Sequence, residues 1–443
     1  MATDTPRGLI IAAPRTAAGK TTVTLGLLRA LSRRGVAVQP FKCGPDYIDP
    51  AFHTAAAGRA SVNLDTWAMR PQLIGQLVQA HAAGADLCIV EGVMGLFDGV
   101  AEAGQGGNGS TADLAALTGW PVILVLDVAA QAETAAAVAL GCKIYRRDIA
   151  LAGVILNRVA GPRHESLVAQ AIARLDIPVL GAIHRRPDIA LPERHLGLVQ
   201  AEETVSLDSR LDKIAAAVAE AVDIDRAVAV AQPLNLALGN ADPALPLEPP
   251  GQRIGLAQDR AFSFMYPHII DGWRQAGAEI VPFSPLADEA PHVACDAIWL
   301  PGGYPELHAD ALAGAKVFQT GVRAAAARGA AIHGECGGYM VLGTGFEDAD
   351  GVRHAMLGLL GVETTFAKRQ LHLGYRRARF APGVLGGASR EVFGHEFHYA
   401  TLLANPDPPL ADITDAAGAP VAGSGSRRGS VSGAFFHMID RAP

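Results

Sequence analysis

The segment LIIAAPRTAAGKTT, residues 9–22, constrains the rest of the chain more than any other stretch. An apolar run, a loop of small residues and Gly-Lys-Thr-Thr ahead of a helical pattern make a strand–loop–helix unit. Such a loop gathers backbone N–H groups at a helix start, where the helix dipole favours an anion. Lys20 is placed to reach terminal phosphates, and the Thr21 hydroxyl to ligate magnesium. The usual spacing G-x-x-x-x-G-K-[ST] would put glycine where this chain has Pro14. If the small first residue is instead Ala13, the loop carries one extra residue. Ala13, Gly19, Lys20, Thr21 and Thr22 are then the nucleotide-binding set.

The surroundings agree with that unit. GLIIAAP, DLCIVEG, PVILVLDV and LAGVILNRV read as buried parallel strands, separated by helical stretches such as TTVTLGLLRALSRRG and AETAAAVALGCKIYRR. Residues 230–252 carry five prolines and almost no charge, and read as a linker. A second alternation follows in RIGLAQD, EIVPFSP, DAIWLPGG and GAAIHGECGG. The expected fold class is therefore α/β with two doubly wound domains, 1–229 and 253–443. A chain of 443 residues, half of them hydrophobic, has the length and apolar content for two cores.

Composition excludes some functions. With 37 basic and 44 acidic residues there is no polyanion-binding signature, so nucleic acid is not expected as a ligand. No apolar run approaches the length of a bilayer span, and MATDTPRG does not open like a signal peptide. A cytoplasmic protein is the expectation. Its five cysteines, Cys43, Cys88, Cys142, Cys295 and Cys336, form no C-x-x-C pair, as in a reducing compartment.

A phosphate loop needs a second acid at another strand end to hold the metal. Glu91, ending DLCIVE, is the first candidate, and Asp127, after PVILVLD, competes with it. KCGPDYIDPAFH, residues 42–53, packs a lysine, Asp46, Tyr47, Asp49 and His53 around glycine and proline. A loop so dense in functional groups is expected to face a ligand. EGVMGLFDG adds Asp98 and three glycines, the mark of another close backbone approach.

In the second half, AAIHGECGGYM places Cys336 between Gly334 and Gly338 after an apolar strand. This is a nucleophile elbow with cysteine for serine, its sulfur exposed by the sharp turn and favoured as thiolate by the helix start. Gly302 and Gly303, ending DAIWLPGG, and Gly337, after the nucleophile, are candidate oxyanion-hole donors. Four histidines could serve as base: His333, His395, His398 and His437. His333 lies on the incoming strand, three residues before the nucleophile, and should face away from the sulfur.

A-P-x-x-x-x-G-K-T-T, KCGPDYIDPAFH and EGVMGLFDG together resemble the cobyrinic or hydrogenobyrinic acid a,c-diamide synthases. The N-terminal domain of that family is similar to dethiobiotin synthetase, whose phosphate loop also carries the extra residue. The resemblance implies that ATP phosphorylates a substrate carboxylate and that ammonia then displaces the phosphate. On it, Lys20, Thr21 and Glu91 serve ATP and Mg2+, while Asp46, Tyr47 and Asp98 line the substrate. Asn157, in GVILNRV, stands where the dethiobiotin-type fold contacts adenine. LPERHLGL is also typical of the family, with His195 a candidate ligand. PGGYPE followed by GECGGYM resembles the class I glutamine amidotransferases. Their histidine comes near the domain's C-terminal end, which favours His437, and GHEFHY keeps His398 as a site-lining residue. Many of these enzymes carry a glutamate two residues after the histidine; here Ile439 stands there, and the third triad member is left open.

The expected function is ATP- and glutamine-dependent amidation of a corrin-ring polycarboxylic acid at its a and c acetates, with ammonia passed from Cys336 along a shielded route. L-glutamine and the ring acid are the expected partners, and a homo-oligomer is compatible with the sequence. Cobyric acid synthase is the nearest rival, but Cys-Gly-Pro-Asp-Tyr replaces its Gln-Asn-Met-like stretch. Amidation of nickel-sirohydrochlorin is a second. A P-loop switch fused to a non-catalytic glutaminase-like module is a third, opposed by the lack of a lysine before Lys20.

Overall fold

Uninterrupted apolar strands with no polar face must be covered on both sides, and the chain solves this with helices on parallel sheets. The computed structural model describes residues 5–189, 193–194, 197–198, 200–236, 244–381 and 391–443. They divide into two units. Residues up to Trp67 and Pro71–Ala244 form the first; Ala68–Arg70 and Leu245–Pro443 form the second.

The first unit alternates β1 (Arg7–Ala12), α1 (Lys20–Arg33), β2 (Val38–Cys43), α2 (Asp49–Ala57), β3 (Val62–Leu64), α3 (Pro71–His81) and β4 (Leu87–Glu91). It continues through α4 (Thr111–Thr118), β5 (Val122–Asp127), α5 (Thr134–Ile144), β6 (Leu151–Val159), α6 (Pro162–Ala173) and β7 (Val179–His184). The strands run in the order β3-β2-β4-β1-β5-β6-β7 and are all parallel. Parallel strands bring their carboxyl ends to one edge, where ligands of open α/β sheets bind. Along that edge lie the residue after Ala12, Lys42, Glu91 and Asn157. Within the stretch expected to be linker, Gln232–Pro233 pairs antiparallel with Arg7 and Gly8 on β1. The proline there donates nothing to the ladder, so it is tolerated at this short edge.

The second unit has a sheet in the order Glu279–Phe283, Arg253–Ala257, Ala297–Leu300, Ala331–Glu335, Val431–Ala434, Ser426–Arg428. The first five are parallel and the last is antiparallel. Its core gathers Phe262, Leu300, Phe318, Tyr339 and Phe346. A four-stranded antiparallel sheet orders Ala411–Asp415, His372–Phe380, Glu391–His398 and His437–Arg441. No helix among the described residues is long and apolar enough to cross a membrane.

Candidate active sites

The phosphate loop leaves β1 at buried Ala13 and enters α1 through Gly19, whose φ of 99° lies in the left-handed region. Only glycine takes that conformation without strain. Space forbids a side chain there as well, because a Cβ would stand 2.1 Å from Asn157 Nδ2. Asn157 in turn donates to the carbonyl of Ala18 at 2.9 Å. The end of β6 therefore braces the phosphate loop through this side chain. Thr22 lies half-buried in the first turn of α1.

Register explains the charges around the loop. Lys42 on β2 and Glu91 on β4 are direct partners, and neighbouring residues in register project to the same face of a sheet. Lys42 Nζ donates to Glu91 at 3.1 Å and to Asp49, at the start of α2, at 2.5 Å. Glu91 also accepts from Thr21 Oγ1 at 2.7 Å, and its second oxygen lies 2.7 Å from His53 Nε2. Thr21 and Glu91, expected to share a metal, are thus in contact. Lys20 Nζ donates to the carbonyl of Met94 at 2.5 Å.

Burial, and then the Lys42 ammonium, lower the Lys20 pKa from its usual value. Burial also opposes charge on Lys42, but Asp49 and Glu91 outweigh it and hold Lys42 well above the ordinary lysine range. For Glu91, burial is outweighed by Lys42 and His53, which hold its carboxyl far below the usual range. Burial and Asp46 push Asp49 upward. Asp127, the competing acid, is instead claimed by Arg15 at 2.5 Å and Arg158 at 2.8 Å. The two arginines hold it at the end of β5, engaged in a separate pair of bridges.

The other expected ligand-facing groups are placed as follows. Asp46 accepts from the backbone of Ile48 at 2.7 Å and Asp49 at 3.1 Å, closing the turn into α2. Tyr47 beside it is half-buried. Asp98 is exposed, accepts from Gly95 N–H at 2.9 Å and acts electrostatically on Lys20. His195 lies outside the described residues. Lys42 and His53, from the stretch expected to face a ligand, both engage Glu91. A lysine at the end of a buried strand is the signal the sequence carries for it.

In the second unit, Cys336 sits between the strand Ala331–Glu335 and the helix Gly337–Leu342, with φ 47° and ψ −107°. A non-glycine residue at positive φ is strained, and such strain gathers at functional turns. Its N–H is bound to Ala434 at 2.8 Å, which anchors the elbow to the next strand. Gly302 packs against this turn. A Cβ on it would stand 2.4 Å from His437 Cε1, 2.8 Å from Nε2 and 3.1 Å from Cys336 Cβ. Cys336, His437 and Gly302 are brought together, and Gly303 N lies 3.3 Å from where a Gly337 Cβ would be. Burial, then Glu306, raise the Cys336 thiol well above its usual value, opposed by a hydrogen bond from the Gly337 backbone. The sulfur thus rests buried as a thiol, where the turn and helix start lead one to expect an exposed thiolate.

The other histidines are held elsewhere. Burial and His437 lower His333 and His395 to about 3, so both stay neutral. His333 lies 2.9 Å from Ser432 Oγ and 4.5 Å from the Trp299 ring, on the same strand as Glu335. His398 Nε2 is 2.7 Å from Glu396, and its ring stacks on Phe435. His372, Glu396 and His398 present three ligand atoms close together. The two imidazoles are stacked at 10°, however, so their lone pairs run in parallel planes, and Glu396 already accepts from Arg376. That arrangement does not converge on one ion. A further neighbour, which no local pattern in the sequence marks, is Glu335, whose Oε2 lies 3.5 Å from His437 Nδ1.

Residues 9–199 match the CobQ/CobB/MinD/ParA nucleotide binding domain, and 253–442 the CobB/CobQ-like glutamine amidotransferase domain. A hydrogenobyrinate a,c-diamide synthase of Rhodobacter capsulatus is 57% identical over 436 residues, spanning 98% of this chain and 99% of its own. That of Mesorhizobium japonicum is 56% identical over 440 residues, spanning 99% of each. That of Agrobacterium fabrum is 51% identical over 437 residues, 98% and 99%. These relatives carry both halves in one chain at full length, which sets aside the reading as a switch with an idle second module. With both domains matched in order and identity sustained end to end, the chain belongs to the hydrogenobyrinate a,c-diamide synthase family.

Proposed function

We propose that this chain uses ATP and glutamine to convert the a and c acetate side chains of hydrogenobyrinic acid into primary amides. The observation that carries the reading is the meeting of Cys336, His437 and Gly302 at one elbow, in a chain whose other unit places Thr21 against Glu91. The relatives' name supplies the substrate.

In the glutaminase unit His437 takes the Cys336 proton, and the thiolate adds to the amide carbon of glutamine. The backbone N–H groups at Gly302, Gly303 and Gly337 receive the developing oxyanion. His437 returns the proton to the departing nitrogen, and ammonia leaves. Water then opens the thioester to glutamate, freeing the thiol.

In the other unit Lys20 and the loop amides after Ala13 hold the ATP phosphates, with Gly19, Thr22 and Asn157 shaping the cradle. Asp46, Tyr47 and Asp98 line the ring acid and orient the reacting carboxylate. That carboxylate takes the γ-phosphoryl group, ADP leaves, and ammonia displaces phosphate from the acyl phosphate. The oxygens of Thr21 and Glu91, in contact at 2.7 Å, are the hard donors that Mg2+ prefers. Bound there, Mg2+ would neutralise charge on the transferring phosphoryl group.

The test incubates the enzyme with ATP and either glutamine or ammonia on hydrogenobyrinic acid, cobyrinic acid and nickel-sirohydrochlorin, beside Cys336→Ala. The expected result is two OH-to-NH2 exchanges, read by mass, on hydrogenobyrinic acid. Cys336→Ala should perform them with ammonia alone. If no ring acid is changed while ATP is consumed, the amidation reading fails.

A further inference from the structure

We propose that Glu335, the residue immediately before the nucleophile, is the acidic partner that positions the glutaminase histidine. This rests on the glutaminase reading above. The position two after the histidine holds Ile439, fully buried and apolar, so no acid reaches the ring from there. Glu335 fills the role from the strand Ala331–Glu335, which belongs to the other sheet. Its Oε2 lies 3.5 Å from His437 Nδ1, and its Oε1 accepts the N–H of Met438 at 2.9 Å. One buried carboxylate thus bonds the main chain that carries the ring and stands at ion-pair distance from the ring itself.

The elbow makes this arrangement available. Glu335 ends a strand and Cys336 begins a tight turn at φ 47°, so adjacent residues reach different edges of one imidazole. Glu335 faces Nδ1, while the Nε2 and Cε1 edge converges with Cys336 Cβ on Gly302. A carboxylate beside Nδ1 favours the tautomer with the proton on that nitrogen, so that the Nε2 lone pair can accept from sulfur, as the acid of a Ser-His-Asp triad arranges. When the proton moves from Sγ to Nε2, the Glu335 charge stabilises the imidazolium. The same proton goes to the amide nitrogen as the C–N bond breaks. Glu335 gains no proton and touches no substrate.

Among the described residues, the groups around His437 include Glu335 and His333 from one strand, Cys336 from the elbow and His395 across the antiparallel ladder. Both neighbouring histidines stay neutral, and the Glu306 and Glu396 charges act on Cys336 beside the ring.

The test follows glutamate release from glutamine against pH for the full chain, Glu335→Gln and Glu335→Asp. Glu335→Gln is expected to lower kcat by about a hundredfold with KM for glutamine little changed. Its acid limb in kcat/KM should move to lower pH, because loss of the carboxylate makes imidazolium harder to form. Glu335→Asp keeps the charge and should recover at least a tenth of the activity and the parental acid limb. If Glu335→Gln keeps kcat within threefold and an unmoved acid limb, the inference is overturned. If Glu335→Gln fails to fold, Glu335→Asp decides: a parental acid limb supports the assignment and a displaced one overturns it. A parent chain releasing no glutamate would instead overturn the glutaminase reading.

Discussion

Gly302 and His437 are so close that a Cβ on the glycine would stand 2.4 Å from the imidazole Cε1. Real Cβ contacts do not reach that distance, and the same atom would also press on Cys336. Gly302→Ala should therefore tilt the ring from the sulfur and cut glutamine hydrolysis by about a hundredfold, since a small misplacement of reacting groups costs that much. Glutamate release, compared with a thermal melt showing an intact fold, measures it. Hydrolysis within threefold of the parent would mean that His437 is not the base.

Glu91 accepts from Thr21, Lys42 and His53 at once, in a fully buried position. Glu91→Gln removes the charge that compensates this cluster, leaving Lys42 with Asp49 alone. Loss of one partner from a buried network costs roughly 3–5 kcal/mol, and the surviving Asp49 contact points to the lower end. Urea unfolding followed on the first unit should show that loss, and ATP consumption with ammonia as nitrogen donor should fall by at least about a hundredfold.

The brace between Asn157 and the phosphate loop separates two substitutions. Asn157→Ala frees the Ala18 carbonyl but leaves the backbone path open, so KM for ATP should rise by about tenfold, a single hydrogen bond's worth. Gly19→Ala meets both a left-handed φ and the Asn157 side chain, and should abolish ATP use. Initial rates with varied ATP distinguish them. A larger effect from Asn157→Ala would reverse the assigned order.

Burial keeps His333 and His395 neutral, at about 3 against an ordinary 6.5. The unfolded chain takes up these protons as pH falls below about 6.5, while the native fold does not. Their contribution to stability is complete above that pH and shrinks as pH falls toward 3. Each histidine should cost roughly 1.4 kcal/mol per pH unit below its unfolded value. The urea midpoint of the second unit should therefore drop between pH 7 and pH 5, and His333→Asn should flatten the slope by one proton.

What a stretch of chain encodes by itself was readable where its chemistry is contiguous. Lys20 and Thr21 follow their strand directly, and Cys336 sits between Gly334 and Gly338, so strand, turn and helix announce each other along the sequence. Apolar runs such as LCIVE and VILVL marked the parallel strands for the same reason, because burial on both faces leaves no polar alternation. The charge network was not readable in that way. Lys42 meets Glu91 through the register of two neighbouring strands, and no local pattern states which residues a register will align. Asp127 and Glu91 look alike as strand-end acids; only the positions of Arg15 and Arg158 take one of them away. Glu335 stands next to Cys336 in the chain, yet its partner His437 arrives from a strand about a hundred residues later. The sequence determined which local turns present a phosphate cradle and a thiol. Tertiary structure decided which charges surround them, because strand register and the packing of sheets, helices and loops, not proximity along the chain, bring those side chains together.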